Sequence, residues 1–136
     1  MKWYQIFSDG TVIYDDDLKQ DTIYPDGCSI EIPTKSLRWF KNNKLHRDGG
    51  PAAVYTDGTK HWFQNGKHHR IDGPAIERAN GDKFWYQNDT LHRIDGPACE
   101  YANGGKYWYI EGIKYTKEGH QIVVDSMTKE NENENT

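Results

Sequence analysis

Three histidines, His46, His69 and His92, recur at intervals of 23 residues, and each is followed by an arginine (Arg47, Arg70, Arg93). Imidazole is the commonest metal ligand and a natural general acid–base near neutral pH, so the recurrence invites either chemistry. The spacing argues against one shared ion. If each unit supplies two strands ~4.7–4.9 Å apart, equivalent side chains sit roughly 10 Å from one another. A zinc–nitrogen bond spans only ~2.0–2.1 Å. His61, His68 and His69 crowd a single hairpin, but adjacent residues 68 and 69 point to opposite faces of a strand. The expected role is structural: an imidazole packed across a ladder against tryptophan, with no metal and no cofactor.

The same corner carries acids. Arg70 with Asp72 and Arg93 with Asp95 read as local ion pairs, whereas the first unit places Asp48 one residue earlier and Gly49 at the usual Asp position. A required catalytic Asp would not be expected to wander. Nucleophile elbows, phosphate loops, dinucleotide fingerprints and His-Glu-x-x-His are absent from the sequence. The four Ser include none beside a His. Asp15-Asp16-Asp17 could chelate a cation, although a solvated turn is the simpler reading. The chain is therefore expected not to be an enzyme.

The elements that carry these residues follow from the same period. Trp39, Trp62, Trp85 and Trp108 are 23 residues apart; so are the Gly-Pro-Ala triplets beginning at Gly50, Gly73 and Gly96. Asp57-Gly58, Asn80-Gly81 and Asn103-Gly104 follow in step, with Lys60, Lys83 and Lys106 two residues after each Gly. Asn-Gly between short apolar runs is the strongest local hairpin signal. Each unit then reads as two strands, such as Lys83–Gln87 and Pro74–Arg78, giving an all-β antiparallel meander.

Two-residue turns fix a register. Around Asn65-Gly66, Gln64 would pair with Lys67, Phe63 with His68 and Trp62 with His69. Across the other hairpins Trp62 would face Ala53, Trp85 would face Ile76 and Trp108 would face Cys99. One face is then a core of Trp39, Trp62, Trp85 and Trp108 with His46, His69 and His92. The other carries Phe63, Phe84, Tyr86, Tyr107 and Tyr109, together with Glu77 and Glu100.

Composition agrees with a thin aromatic sheet. Leu, Ile, Val and Phe number 23 of 136 residues, a disorder-like share. Yet 13% of the chain is aromatic and the net charge is only −4. Each aromatic ring buries ~150–250 Å², so rings supply the core. No apolar run nears the ~20 residues of a membrane span. The N-terminus lacks the pattern of an export signal, which points to a cytoplasmic setting. Cys28 and Cys99 are too few for a disulfide framework, and Cys99 reads as a buried thiol.

Three regions result. Residues 1–36, with hairpin signals at Asp9-Gly10 and Asp26-Gly27, form an N-terminal β cap of net charge −4. Residues 37–115 hold the 23-residue units and carry net +3. Residues 116–136 carry net −3, with a strand expected at Ile122–Val124 and a disordered polar tail from Lys129.

Asn65-Gly66-Lys67-His68-His69 followed by Gly73, within a 23-residue unit, resembles the MORN-type repeat. The departure is His-Arg-x-Asp-Gly-Pro-Ala in place of the family's His-Gly-x-Gly, a version similar to repeats of bacteriophage and large-virus proteins. The resemblance spans residues 37–115. It implies a β-repeat sheet acting as a scaffold or adaptor. A single-layer sheet with two aromatic faces needs a cover on one, so Phe63, Phe84, Tyr86, Tyr107 and Tyr109 are the candidate binding stripe. The expected function is a protein-binding module, a phage or viral accessory protein occupying a host protein such as a defence factor. The alternatives are single-stranded nucleic acid along Lys60, Lys83 and Lys106, and a self-assembling scaffold or homodimer paired through sheet edges. The N-terminal segment could equally cover the stripe.

Overall fold

The computed structural model describes residues 2–6, 12–15, 27–32 and 36–134, with side chains from 36 to 132. The strands are β1 (Lys2–Ile6), β2 (Val12–Asp15), β3 (Gly27–Ile32), β4 (Ser36–Lys41), β5 (Lys44–Leu45), β6 (Ala53–Val54), β7 (Lys60–His61) and β8 (Phe63–Gln64). They continue as β9 (Lys67–His68), β10 (Ile76–Glu77), β11 (Lys83–Phe84), β12 (Tyr86–Gln87), β13 (Thr90–Leu91), β14 (Cys99–Glu100), β15 (Lys106–Ile110) and β16 (Ile113–Tyr115), before helix α1 (Lys117–Glu134). One antiparallel sheet runs β16-β15-β14-β11-β10-β7-β6-β4-β3-β1-β2, with β5 on β4. The ribbons β8–β9 and β12–β13 stand off it. The fold is thus mostly a β meander ending in one helix.

Two kinds of hairpin alternate. At Asn42-Asn43, Asn65-Gly66, Asn88-Asp89 and Glu111-Gly112 both central residues have positive φ, for example 51° and 78° at Asn65-Gly66. That is the type I′ turn, and it yields the expected Gln64–Lys67 and Phe63–His68 pairs. His69 N–H also donates to Trp62 O at 3.1 Å, as that register requires. At Asn80-Gly81 only Gly81 has positive φ, 100°. There Gly81 N–H donates to Arg78 O and Arg78 N–H to Asp82 O, both at 2.9 Å. This is a type I turn followed by a left-handed glycine bulge.

The bulge corrects the expected register. Ile76 pairs with Phe84 where Trp85 was expected, Ala53 with His61 in place of Trp62, and Cys99 with Tyr107 in place of Trp108. A slip of one residue turns a side chain to the other face, so Ile76 and Cys99 leave the tryptophan face. Ile76, Phe84 and Cys99 form a buried cluster, with Tyr86, Leu91 and Tyr109 packed against it. The expected strand Lys83–Gln87 is split at Trp85 into β11 and β12. Ala52, Ala75 and Ala98, each 0% exposed, sit behind the splits. Ala75 shows why a methyl suffices there: its carbonyl accepts Trp62 N–H at 2.7 Å and its N–H donates to Phe84 O at 2.8 Å.

The ends differ from each other. Strands β1–β3 continue the sheet beyond β4. The turn signal Asp9-Gly10 and residues Asp16, Asp17 and Asp26 lie outside the described residues. At the other end, the strand expected at Ile122–Val124 is helical, and α1 runs to Glu134 through most of the tail expected to be disordered. The reason lies in the cap and the burial period. Thr116 Oγ1 accepts Gly119 N–H at 3.0 Å, an N-cap bond. His120, Val123, Val124 and Met127 turn inward at three- and four-residue steps. The β-branched run favours a strand only where a ladder is available to it. No helix among the described residues is long and apolar enough to cross a membrane.

Candidate functional site

One face is built from tryptophan and arginine. The guanidinium carbons of Arg47, Arg70 and Arg93 each lie 3.9 Å from the ring centroids of Trp39, Trp62 and Trp85. Arg93 also donates to Pro97 O and Glu100 Oε1, both at 3.0 Å, and to Asp95 Oδ1 at 2.8 Å. Arg70 repeats the arrangement with Pro74 O, Glu77 and Asp72. Displaced Asp48 instead meets His46 Nε2 at 3.1 Å. The guanidinium's far side lies against glycine: a Cβ on Gly96 would stand 2.8 Å from Arg93 Cζ. Glycine is needed there for close approach, since a side chain would lever the arginine off its ring.

The histidines do something the pattern had not indicated. His46 Nδ1 accepts the Asn65 N–H at 3.0 Å, His69 Nδ1 the Asn88 N–H at 3.1 Å, and His92 Nδ1 the Glu111 N–H at 3.0 Å. Each imidazole therefore ties its own unit to the turn of the following one. An Nδ1 lone pair is required, which fixes the proton on Nε2 in the neutral ring. Trp108 stands apart because Thr116 occupies the next arginine position. α1 covers this end, and His120 Nε2 donates to Arg93 O at 2.7 Å.

The lysines share this face. Lys60 and Lys83 flank Glu77, and Lys83 and Lys106 flank Glu100, all directly opposite across the ladder. Glu77 and Glu100 reach Arg70 and Arg93, so they leave the aromatic stripe on which the two-residue register had placed them. The lysine row alternates with carboxylates and is separated from the aromatic stripe by the sheet itself.

On the other face Phe84, Tyr86, Tyr107 and Tyr109 line an open depression of about 530 Å³ with Leu91, Cys99, Tyr101 and Lys114. Phe84 is 8% exposed and forms its floor; Tyr101 and Tyr107, at 37% and 41%, form the rim. Phe84–Tyr101 and Tyr101–Tyr107 meet edge to face at 5.5 and 5.8 Å. Lys114 Nζ sits 4.5 Å from the Tyr107 ring centroid. Phe63 joins through His68, which lies 4.2 Å from Phe63 and 5.5 Å from Tyr86 between centroids. The five candidate residues share one face, but of them only Tyr107 is exposed. Phe84 belongs to the buried cluster with Tyr86 and Tyr109 packed against it, and Phe63 is half-buried, whereas the tryptophans expected as core are themselves only half-buried. Tyr101 was missed because it lies just before a turn, outside the strand pattern. Burial raises the Cys99 thiol and Tyr86 phenol pKa values, keeping both protonated.

At the far end of this face His61 Nδ1 and His68 Nε2 are 3.0 Å apart, and Asp89 Oδ1 accepts His68 N–H at 2.7 Å. Desolvation first, then the charges of His68 and Arg78, push the His61 pKa down to about 4. His61 is thus neutral at pH 7. The ring planes are tilted by 45° with centroids 5.3 Å apart, and one of the two facing nitrogens donates to the other. Among the described residues no group of three or more His, Cys, Asp or Glu is arranged to hold a metal ion. Comparison of the chain with protein-family models, with curated proteins and with solved structures returns no match.

Proposed function

We propose that the chain is a non-enzymatic protein-binding module of MORN-type repeats that works through its aromatic face. The observation that carries this reading is the depression walled by Tyr86, Tyr101, Tyr107 and Tyr109 over Phe84. Tyrosine offers large, rigid contact area with a polar tip, the combination enriched at interface hot spots. The described N-terminal strands extend the sheet at the end remote from Tyr107, which favours an outside partner over the chain's own cap. The alternation of Lys60, Lys83 and Lys106 with Glu77 and Glu100 favours protein over a nucleic-acid backbone. A phage or viral origin with a host defence factor as target rests on the His-Arg-x-Asp-Gly-Pro-Ala resemblance alone.

The test is affinity capture from a candidate host lysate with the intact chain and with Tyr107→Arg. The expected result is one stoichiometric partner that Tyr107→Arg loses. Equal capture by both chains, or only polydisperse background, would refute it. Light scattering on the same samples reads the homodimer alternative.

A further inference from the structure

The Trp–Arg face carries a series of equivalent ledges between successive Arg-x-Asp-Gly-Pro corners, and one of them is already walled by a helix. The last ledge, bounded by Ile94, Asp95, Pro97 and Trp108, has α1 as its outer wall through Lys117, His120 and Val124, which leaves a groove of about 490 Å³ between them. The preceding ledge lies between Ile71 with Asp72 and Trp85 with Ile94 and is an open groove of about 540 Å³. Ile94 and Asp95 line both grooves, so the open ledge continues the seat that α1 uses.

Equivalent residues show what the helix covers. Ile94 is 50% exposed and Ile71, one unit earlier, is 78% exposed. The charges repeat as well. Asp95 lines its groove together with Lys117, and Asp72 holds the equivalent rim position; the two side chains are 81% and 88% exposed, each bonded on one side to its own arginine. A helix entering the open groove would meet an apolar strip beside a carboxylate, the surroundings α1 meets next door.

We infer that the Ile71–Ile94 ledge is a docking site for a short amphipathic helix from another polypeptide. That helix carries β-branched aliphatic residues on one strip and lysine in its first turn, as α1 does. The surface is separate from the aromatic depression on the opposite face, so either site can exist without the other.

The test uses the intact chain and a synthetic probe. The probe is a peptide of residues 115–129, held helical by a covalent bridge between the outward positions 118 and 122, because a free peptide this short is marginally helical. Titration is followed by amide chemical shifts and by the Trp85 indole signal. Saturable shifts at Ile71, Asp72 and Trp85 are expected. Ile71→Asp should weaken binding at least tenfold, Lys117→Glu in the peptide severalfold, and Tyr107→Arg on the other face should leave it unchanged. Ile71 is exposed enough for its substitution to leave the fold intact, which the unperturbed spectrum of the free variant checks. Absence of saturable shifts at millimolar peptide, an Ile71→Asp affinity within twofold, or shifts confined to Trp108 through displacement of α1 would each overturn the inference.

Discussion

Removing one guanidinium tests whether the Trp–Arg corner holds the units together. In Arg93→Ala the chain loses a cation–π contact, about 0.5–2 kcal/mol depending on desolvation. It also loses the two bonds to Pro97 O and Glu100, about 1 kcal/mol each for partly buried groups. The bond to Asp95, whose side chain is 81% exposed, adds little. The expected loss is about 3 kcal/mol, a sizeable part of the ~5–15 kcal/mol typical of a domain. Urea unfolding followed by tryptophan fluorescence would measure it. Two further variants separate the corner from general disruption. Gly96→Ala places a methyl against the guanidinium, so it should reproduce much of the loss in the native background and little of it in Arg93→Ala. Trp85→Phe should couple to Arg93→Ala by about 1 kcal/mol. A loss below 1 kcal/mol for Arg93→Ala, or strict additivity with Gly96→Ala, would refute the clamp.

Three other outcomes follow from the structure. His61 has a folded pKa of about 4 against 6.5 unfolded, so the unfolded chain binds more protons between those values. Stability should fall by about 2 kcal/mol as pH drops from 6.5 towards 4, after discounting for partial exposure, and His61→Gln should flatten that slope. Thr116→Ala removes the N-cap bond and should cost about 1 kcal/mol, read by urea unfolding with far-ultraviolet dichroism. Cys99, 4% exposed with its thiol pKa raised, should resist iodoacetamide in the native chain and react on unfolding, as peptide mass mapping would show.

Some of this molecule is legible in residue types, and the part that is not turns on hairpin closure. Asn65-Gly66 and Asn80-Gly81 are the same dipeptide, yet only the first forms a type I′ turn. At the second, Asn80 Oδ1 accepts the Asp82 N–H at 3.0 Å, and Asp82 Oδ1 accepts Ala102 N–H of the next unit at 2.8 Å. The first bond is an Asx-type closure; the second needs a neighbour distant in sequence, which a local motif cannot contain. The same holds for the histidines, whose acceptor role depends on an N–H nineteen residues away. The two strands expected per unit do not hold, because the aromatic strand breaks at its tryptophan and a second ribbon leaves the sheet. The period and the common face of Phe63, Phe84, Tyr86, Tyr107 and Tyr109 follow from local pattern. Faces set by the bulged hairpins do not, which is why Glu77, Glu100, Ile76 and Cys99 were expected on the wrong side. The helix at residues 117–134 has a local signal in Thr116 and in the spacing of Val123, Val124 and Met127, but the three consecutive β-branched residues 122–124 carry the opposite one, which is why a strand was expected there.

The seating of α1 against Trp108 also fixes a dimension. Each of the three imidazoles hands the same Nδ1 bond to the following turn, so that bond sets no limit on how many units could follow. The limit is imposed once, where Thr116 replaces arginine and the helix takes the next place. Length in this protein is therefore a property of its terminator: inserting a further unit ahead of His92 would displace the helix by roughly 10 Å and leave its seat intact. A surface whose span can be changed in fixed steps, with both ends preserved, behaves as a ruler.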